Sequence, residues 1–393
     1  MDVFIHIPKS SGSTIRRILS REYGNRHILY FEPGSRTWEA HHSGEEPLQV
    51  QIAARGIRLI TGHLPFGVHE TIKEACRYFS MVRDPVARAV SEYYYAYSYP
   101  HHRLRHPIRS GRLSLDDFMA GPEYVAGGGQ CAMLAGGFRS RDGITGAAIE
   151  NVRHGLAVVG TTERFEESIL LIARTCGWQP PLFVRTNVTK LDADIEARRE
   201  QSTAIASGRY REYFRSDYAV YRAVETLLTE RIAAEGVAFQ HALEALREIQ
   251  QGLATHAGDA IYDRYEFEDE GVLSVGAQRF IGSQPYRRIL DYLGQPAAAG
   301  HSFHNFSGHV DVLSGRTVSG WALDVASGEP IEVTVRHGDH AIVHVRADRP
   351  RPDLLAAGFR SQRAGFRTTL DQDIRDPNDV DVCFGDTSLS LRR

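Results

Sequence analysis

The feature that most constrains this chain is a short strand that turns directly into a helix within its first twenty residues. Residues 3–7, Val-Phe-Ile-His-Ile, are apolar and β-branched, and Pro8 closes them. The turn Pro8-Lys9-Ser10-Ser11-Gly12-Ser13-Thr14 follows, and apolar Ile15, Ile18 and Leu19 then take helical spacing. Such a turn aims backbone N–H groups and the positive end of the helix dipole at whatever occupies it. Lys9 adds a point charge, and the hydroxyls of Ser10, Ser11, Ser13 and Thr14 add donors suited to phosphate oxygens. An ordinary polar turn has the same composition, so both readings stand for this segment alone. A nucleoside-triphosphate kinase of P-loop type is the rival within enzymes. Walker A needs its lysine after the second glycine, whereas Lys9 precedes Gly12, which counts against that rival.

The same arrangement recurs. A strand at residues 78–82 runs into Arg83-Asp84-Pro85, an N-cap residue followed by proline at the first helical position. Ser91 lies eight residues after Arg83, about 12 Å along a fully helical path. A bent start at Asp84-Pro85 brings Arg83 back so that both can reach one phosphate. Pairing of Arg83 with a carboxylate is the structural alternative. Further strands are expected at 57–61 and 157–160 and a helix at 165–176. Strands alternating with helices predict an α/β fold with a parallel sheet covered by helices on both faces.

With 393 residues the chain exceeds one ordinary core, and two or three domains are expected. Residues 192–251 read as packing helices that complete the first domain, interrupted at Gly208 and Gly236. Residues 252–305 form a connecting region with an acidic run (Asp263, Glu266, Glu268, Asp269, Glu270), best read as a solvated loop, and a linker at 296–300. From residue 306 the period changes. Short strands at 310–313, 318–323, 331–335, 341–345, 365–370 and 380–384, bounded by Gly, Pro, Asn, Asp or Ser, predict a small C-terminal β-sandwich over 306–393.

The net charge of −3 means that an anion must be held locally, because no global field draws nucleic acid or an anionic membrane. No run approaches the ~18 apolar residues of a membrane span. The N-terminus has neither a basic n-region nor an apolar h-region, so a cytoplasmic protein is expected. Four cysteines without CxxC spacing argue against a zinc ribbon or a disulfide scaffold, and no histidine pair has metal-site spacing, so no metal is expected. His63, in Gly62-His63-Leu64-Pro65-Phe66-Gly67, follows a predicted strand at the edge where the sheet's ligand crevice would lie. A neutral imidazole there can take a proton near pH 7, although a loop histidine satisfied by a hydrogen bond is the bland alternative.

Together, IHIPKSSGST and RDPVARAVSEYYY closely resemble the two donor-binding signatures of carbohydrate sulfotransferases that use 3′-phosphoadenosine 5′-phosphosulfate (PAPS). The resemblance is to the heparan sulfate 2-O-sulfotransferase-like branch and its bacterial relatives, over about residues 1–230. It implies a P-loop-like sulfotransferase domain with no metal requirement. Lys9, Ser10, Ser11, Gly12, Ser13 and Thr14 would wrap the 5′-phosphosulfate, and Arg83 and Ser91 would bind the 3′-phosphate. His63 would be the general base and Lys9 would stabilise the leaving group. Ser11 replaces the first of two glycines in the family turn, so a positive φ there would carry strain. The segment 158–166 and Asn187 also resemble the family and are assigned to structure. The animal relatives are membrane-anchored in the secretory pathway, so the chain is expected to be bacterial.

The basic stretch 101–112 is the candidate acceptor grip, through Arg103, Arg105 and Arg109, for an acidic carbohydrate or glycolipid; a solvated loop is the alternative. Tyr93, Tyr94, Tyr95, Tyr97 and Tyr99 are divided between core and sugar stacking, and Trp321 is expected in the core. Nucleic acid is not an expected partner, and an oligomer is left open. An inactive glycan-binding protein on the same fold is the reading from a different functional class.

Overall fold

The computed structural model describes residues 1–32, 34–121, 129–136, 139–140, 142–183, 193–254, 280–294, 304–325, 327–337, 340–359, 361–374 and 376–391. Its first sheet holds five parallel strands. Four come early: β1 (Asp2–Ile5), β2 (Ile28–Tyr30), β3 (Leu59–Gly62) and β4 (Arg77–Val82). The short β5 (Arg139–Ser140) belongs elsewhere, and β6 (Leu156–Thr161) completes the first sheet in the order β2-β3-β1-β4-β6. Alternate residues of β1 enter different cores: Val3 and Ile5 pack on one face, Phe4 on the other. Strands buried on both faces explain why these segments are continuously apolar.

The order of the strands positions the site. The chain leaves β1, builds β2 and β3 to one side, then crosses to place β4 on the other. The turn after β1 is therefore flanked by the ends of β3 and β4, each about 5 Å away across the ladder. That is the crevice at the carboxyl ends of a parallel sheet where ligands bind.

The helix Phe165–Cys176 follows the expected boundaries, and the first helix begins slightly early, at Gly12. The strand β2 carried no expectation because three residues give too little pattern to read. Gly208 does not interrupt the helix Ala193–Arg209. A helical glycine costs only about 1 kcal/mol, and Ala206 and Tyr210 beside it are buried in an apolar cluster. The following helix, Arg215–Ala254, is broken in φ/ψ at Gly236 as expected. The helix Gln284–Gly294 packs against it, whereas the acidic run and the 296–300 linker lie outside the described residues.

The C-terminal strands are β7 (Phe306–Asp324), β8 (Glu332–His337), β9 (His340–Arg346), β10 (Arg349–Pro350), β11 (Arg363–Ile374), β12 (Val380–Phe384) and β13 (Leu389–Ser390). They form two antiparallel sheets, β10-β11-β7 and β5-β13-β12-β8-β9. The strands expected at 310–313 and 318–323 are one strand. The Ser314-Gly315 signal is a bend within β7: Gly315 has φ +55°, opposite a register shift in β11 between Thr369 and Ile374. Strand β5 pairs with β13, so the C-terminal sheet includes a segment from residue 139. Trp321 is half-buried against Phe359. Among the described residues no helix is long and apolar enough to cross a membrane.

Candidate active site

All five parallel strands deliver residues to one crevice. Lys9 to Thr14 follow β1, Glu32 follows β2, His63 follows β3, Arg83 follows β4, and Thr162 and Glu163 follow β6. The turns after β1 and β4 touch directly: an Arg83 Nη1–H donates to the Lys9 carbonyl at 3.2 Å.

The first turn is built on strained backbone. Lys9 has φ +64° and Ser11 φ +63°, and among the described residues only Lys73 is another non-glycine residue with positive φ. A side chain in the left-handed region costs on the order of 1–2 kcal/mol, and such residues persist where the surroundings hold them. Here Ser11 Oγ donates to Thr162 Oγ1 at 3.3 Å, and Thr162 is itself tied to the Val82 carbonyl through its N–H at 2.8 Å. The departure from glycine at Ser11 therefore does carry positive φ, and the hydroxyl gains a partner across the crevice. Ser11 is also the N-cap of the first helix without capping it through its side chain. The first-turn N–H groups of a helix have no carbonyl of their own helix to accept from them.

Gly12 is required for a different reason. A Cβ there would stand 1.7 Å from His6 Nε2. His6 is buried beneath the turn, its Nδ1 has no hydrogen-bond partner, and burial holds its pKa well below the ordinary value, with nearby His63, Arg16 and Lys9 acting the same way. His6 is thus a neutral wedge under the loop. Ser10 is also buried, and its Oγ has no partner.

Lys9 Nζ lies 4.0 Å from the centroid of the Tyr95 ring. Burial pushes its pKa down to about 8, with Glu92 opposing and Arg83 and Arg199 adding to the shift. Arg199, on the helix Ala193–Arg209, comes to the site from far along the chain and had no signal in the sequence. Tyr95 stacks on Tyr99, whereas Tyr93, Tyr94 and Tyr97 pack on an apolar cluster.

His63 is exposed at the crevice, and its ring lies 4.5 Å from that of His6. Its Nδ1 is 2.7 Å from the His6 carbonyl, an atom that can only accept. Nδ1 therefore carries the hydrogen, and Nε2 carries the lone pair. The Glu32 carboxylate lies 4.0 Å from Nε2 and accepts from the His63 backbone N–H at 3.3 Å. Glu32 was missed in the sequence because it follows the three-residue strand β2, which gave no reason to place it beside His63.

The second turn is relaxed. Asp84 caps the helix Pro85–Ser98, its carboxylate accepting from the Ala87 N–H at 2.9 Å. The Asp84 N–H donates to Glu163 at 3.0 Å, and burial raises the Glu163 pKa. Burial also presses on the Arg83 charge, which Glu163 and Asp84 offset. Ser91 lies in the second turn of this helix, half-buried.

The proposed acceptor arginines are more dispersed. Arg105 and Arg109 belong to a short helix, Arg105–Arg109, anchored by buried Leu104 and Ile108. Arg103 is exposed, and Arg109 stands 5.3 Å from the centroid of the Tyr97 ring. In the same stretch the His102 ring stands edge-on to Tyr95 at 5.8 Å between centroids, and burial lowers its pKa, with Glu92 opposing and Arg103 and Lys9 adding to the shift. Asn187 lies outside the described residues.

Residues 3–113, which contain both turns and His63, match the Sulfotransferase family. Over 325 residues the chain is 25% identical to galactose-3-O-sulfotransferase 3 of Bos taurus, covering 76% of this chain and 72% of that protein.

Proposed function

We propose that the protein transfers a sulfonate group from PAPS to a hydroxyl of a carbohydrate. One observation carries the reading: the strained Lys9–Ser11 turn, the Arg83 guanidinium and the Nε2 lone pair of His63 converge at the ends of three adjacent strands. The donor carries a phosphosulfate and a separate 3′-phosphate, and the crevice has two cationic turns to receive them. Lys9, Ser10, Ser11, Gly12, Ser13 and Thr14 would cradle the phosphosulfate. Arg83 and Ser91 would take the 3′-phosphate. The partnerless Oγ of buried Ser10 fits a role as donor to that anion.

The reaction needs one proton moved and one S–O bond exchanged. His63 Nε2 removes the proton of the acceptor hydroxyl. The resulting oxygen attacks sulfur in line, and the bond between sulfur and the 5′-phosphate oxygen breaks. Adenosine 3′,5′-bisphosphate leaves with the negative charge that Lys9 and the turn amides offset. The proton stays on His63 as an imidazolium, with Glu32 at 4.0 Å as its counter-charge.

A galactose-type sugar is the acceptor suggested by the bovine relative's name, and an acidic glycan is the one suggested by Arg103, Arg105 and Arg109. We read the C-terminal sheets as a β-sandwich that helps present this acceptor. The deciding experiment is transfer of labelled sulfonate from PAPS to a panel of neutral and acidic glycans, alongside thermal shifts with adenosine 3′,5′-bisphosphate and with ATP. The reading expects transfer and a bisphosphate shift. A bisphosphate shift without transfer to any glycan, or a shift with ATP alone, would overturn it.

A further inference from the structure

We propose that Gln130 is a positioning residue that sets the Arg83 guanidinium for the 3′-phosphate; this rests on the donor reading above. Gln130 lies outside both signature turns and is completely buried. Its side-chain amide bridges one backbone residue in both directions. The Arg83 N–H donates to Gln130 Oε1 at 2.7 Å, and Gln130 Nε2–H donates to the Arg83 carbonyl at 2.8 Å. This occurs one residue past Val82, where the pairing of β4 with β6 ends. The amide thus extends the ladder by one residue, presenting a donor and an acceptor side by side as a backbone peptide does.

Gln130 is itself held on both sides by one carboxylate. A Cβ on Gly129 would stand 2.6 Å from Asp217 Oδ1, so only glycine lets that carboxylate approach. The Cys131 N–H donates to the same Oδ1 at 2.8 Å. Asp217 in turn faces Arg88, a fully buried arginine whose Nη2 lies 4.0 Å away. The neighbouring Tyr218 donates its hydroxyl to Asp84 Oδ2 at 2.9 Å. A connected polar brace therefore runs from the helix Arg215–Ala254, through residues 129–131, to Arg83 and Asp84. Arg83 needs such a brace because it sits past the end of the sheet, where its own N–H and C=O have no strand to pair with. Losing a charge-assisted hydrogen bond from Arg83 to a phosphate costs roughly tenfold to a hundredfold in affinity.

The test measures affinities of the full chain for adenosine 3′,5′-bisphosphate and adenosine 5′-phosphate by calorimetry. The ratio of the two isolates the 3′-phosphate. Gln130→Leu, which keeps volume and loses both hydrogen bonds, is expected to shrink that ratio by roughly tenfold to a hundredfold while leaving adenosine 5′-phosphate binding unchanged. Gln130→Glu keeps the acceptor and loses the donor, is expected to give an intermediate loss, and carries the test alone if Gln130→Leu does not fold. An unchanged ratio, or an equal loss for both nucleotides, overturns the positioning role. A wild-type ratio near one, or an Arg83→Ala variant with an undiminished ratio, overturns the donor reading instead and is seen before any Gln130 variant is made.

Discussion

The two strand-to-helix turns share a topology and are built by opposite means. The turn after β1 leaves its helix N-terminus uncapped by a side chain and places Lys9 and Ser11 at positive φ, so in the proposed function its backbone would be the receptor. The turn after β4 fills its helix N-terminus with its own Asp84 carboxylate. The backbone N–H groups of Arg83, Asp84 and Ala87 are already engaged, which leaves the side chains of Arg83 and Ser91 to meet an anion in the proposed function. The first turn stores strain and the second does not. An anion that must be wrapped calls for the former, and one that is met from a single side suits the latter.

Four substitutions or conditions sharpen this contrast. The largest effect is expected for His63→Ala, beside the strained turn: turnover should fall ~10²–10⁴-fold, the usual worth of general-base catalysis. Bisphosphate binding, measured by calorimetry, should stay near the wild-type value. Turnover within a few-fold of wild type would remove His63 as the base.

Next is Gly12→Ala. Its methyl group would meet the His6 ring, an overpacking expected to cost about 1–3 kcal/mol in urea unfolding and to abolish the thermal shift with bisphosphate. A stable variant that still binds would show that the wedge under the turn is not essential.

The matching lesion in the second turn is Asp84→Ala. Loss of the cap should cost about 1 kcal/mol, with bisphosphate binding reduced far less than in Gly12→Ala. If the two variants lose binding equally, the division between a backbone receptor and a side-chain receptor is wrong.

The smallest effect is the pH dependence set by Lys9. Its pKa is lowered to about 8, so below that pH the ammonium is present to meet the donor, and above it the free protein has lost the charge. Bisphosphate affinity should be flat below about pH 7 and fall by at most tenfold per pH unit above 8. Lys9→Ala should flatten the alkaline limb.

Much of the site was legible because it is local. The turn from Lys9 to Thr14, the Asp84 cap and the Pro85 start each lie within a few consecutive residues, and backbone chemistry reads them directly. The β7 strand was misread for the same reason. Ser314-Gly315 has the local signature of a turn, and only the opposing register shift in β11 makes it a bend. Glu32, Gln130, Thr162, Asp217 and Arg199 could not be read, since each matters only through partners dozens of residues away.

By itself the sequence determined the residue types and the two turns: alternating strands and helices, a lysine and hydroxyls after one strand, an arginine after another, and a histidine after a third. Local propensity and capping are short-range forces, so they survive without knowledge of the fold. The tertiary structure decided what those residues become together. Placing β1 between β3 and β4 brings Lys9, His63 and Arg83 to one edge. The His6 carbonyl then selects which His63 nitrogen holds the lone pair, and burial lowers the pKa of Lys9 to about 8. Hydrogen-bond geometry and desolvation depend on neighbours in space, and those neighbours exist only once the strands have been ordered.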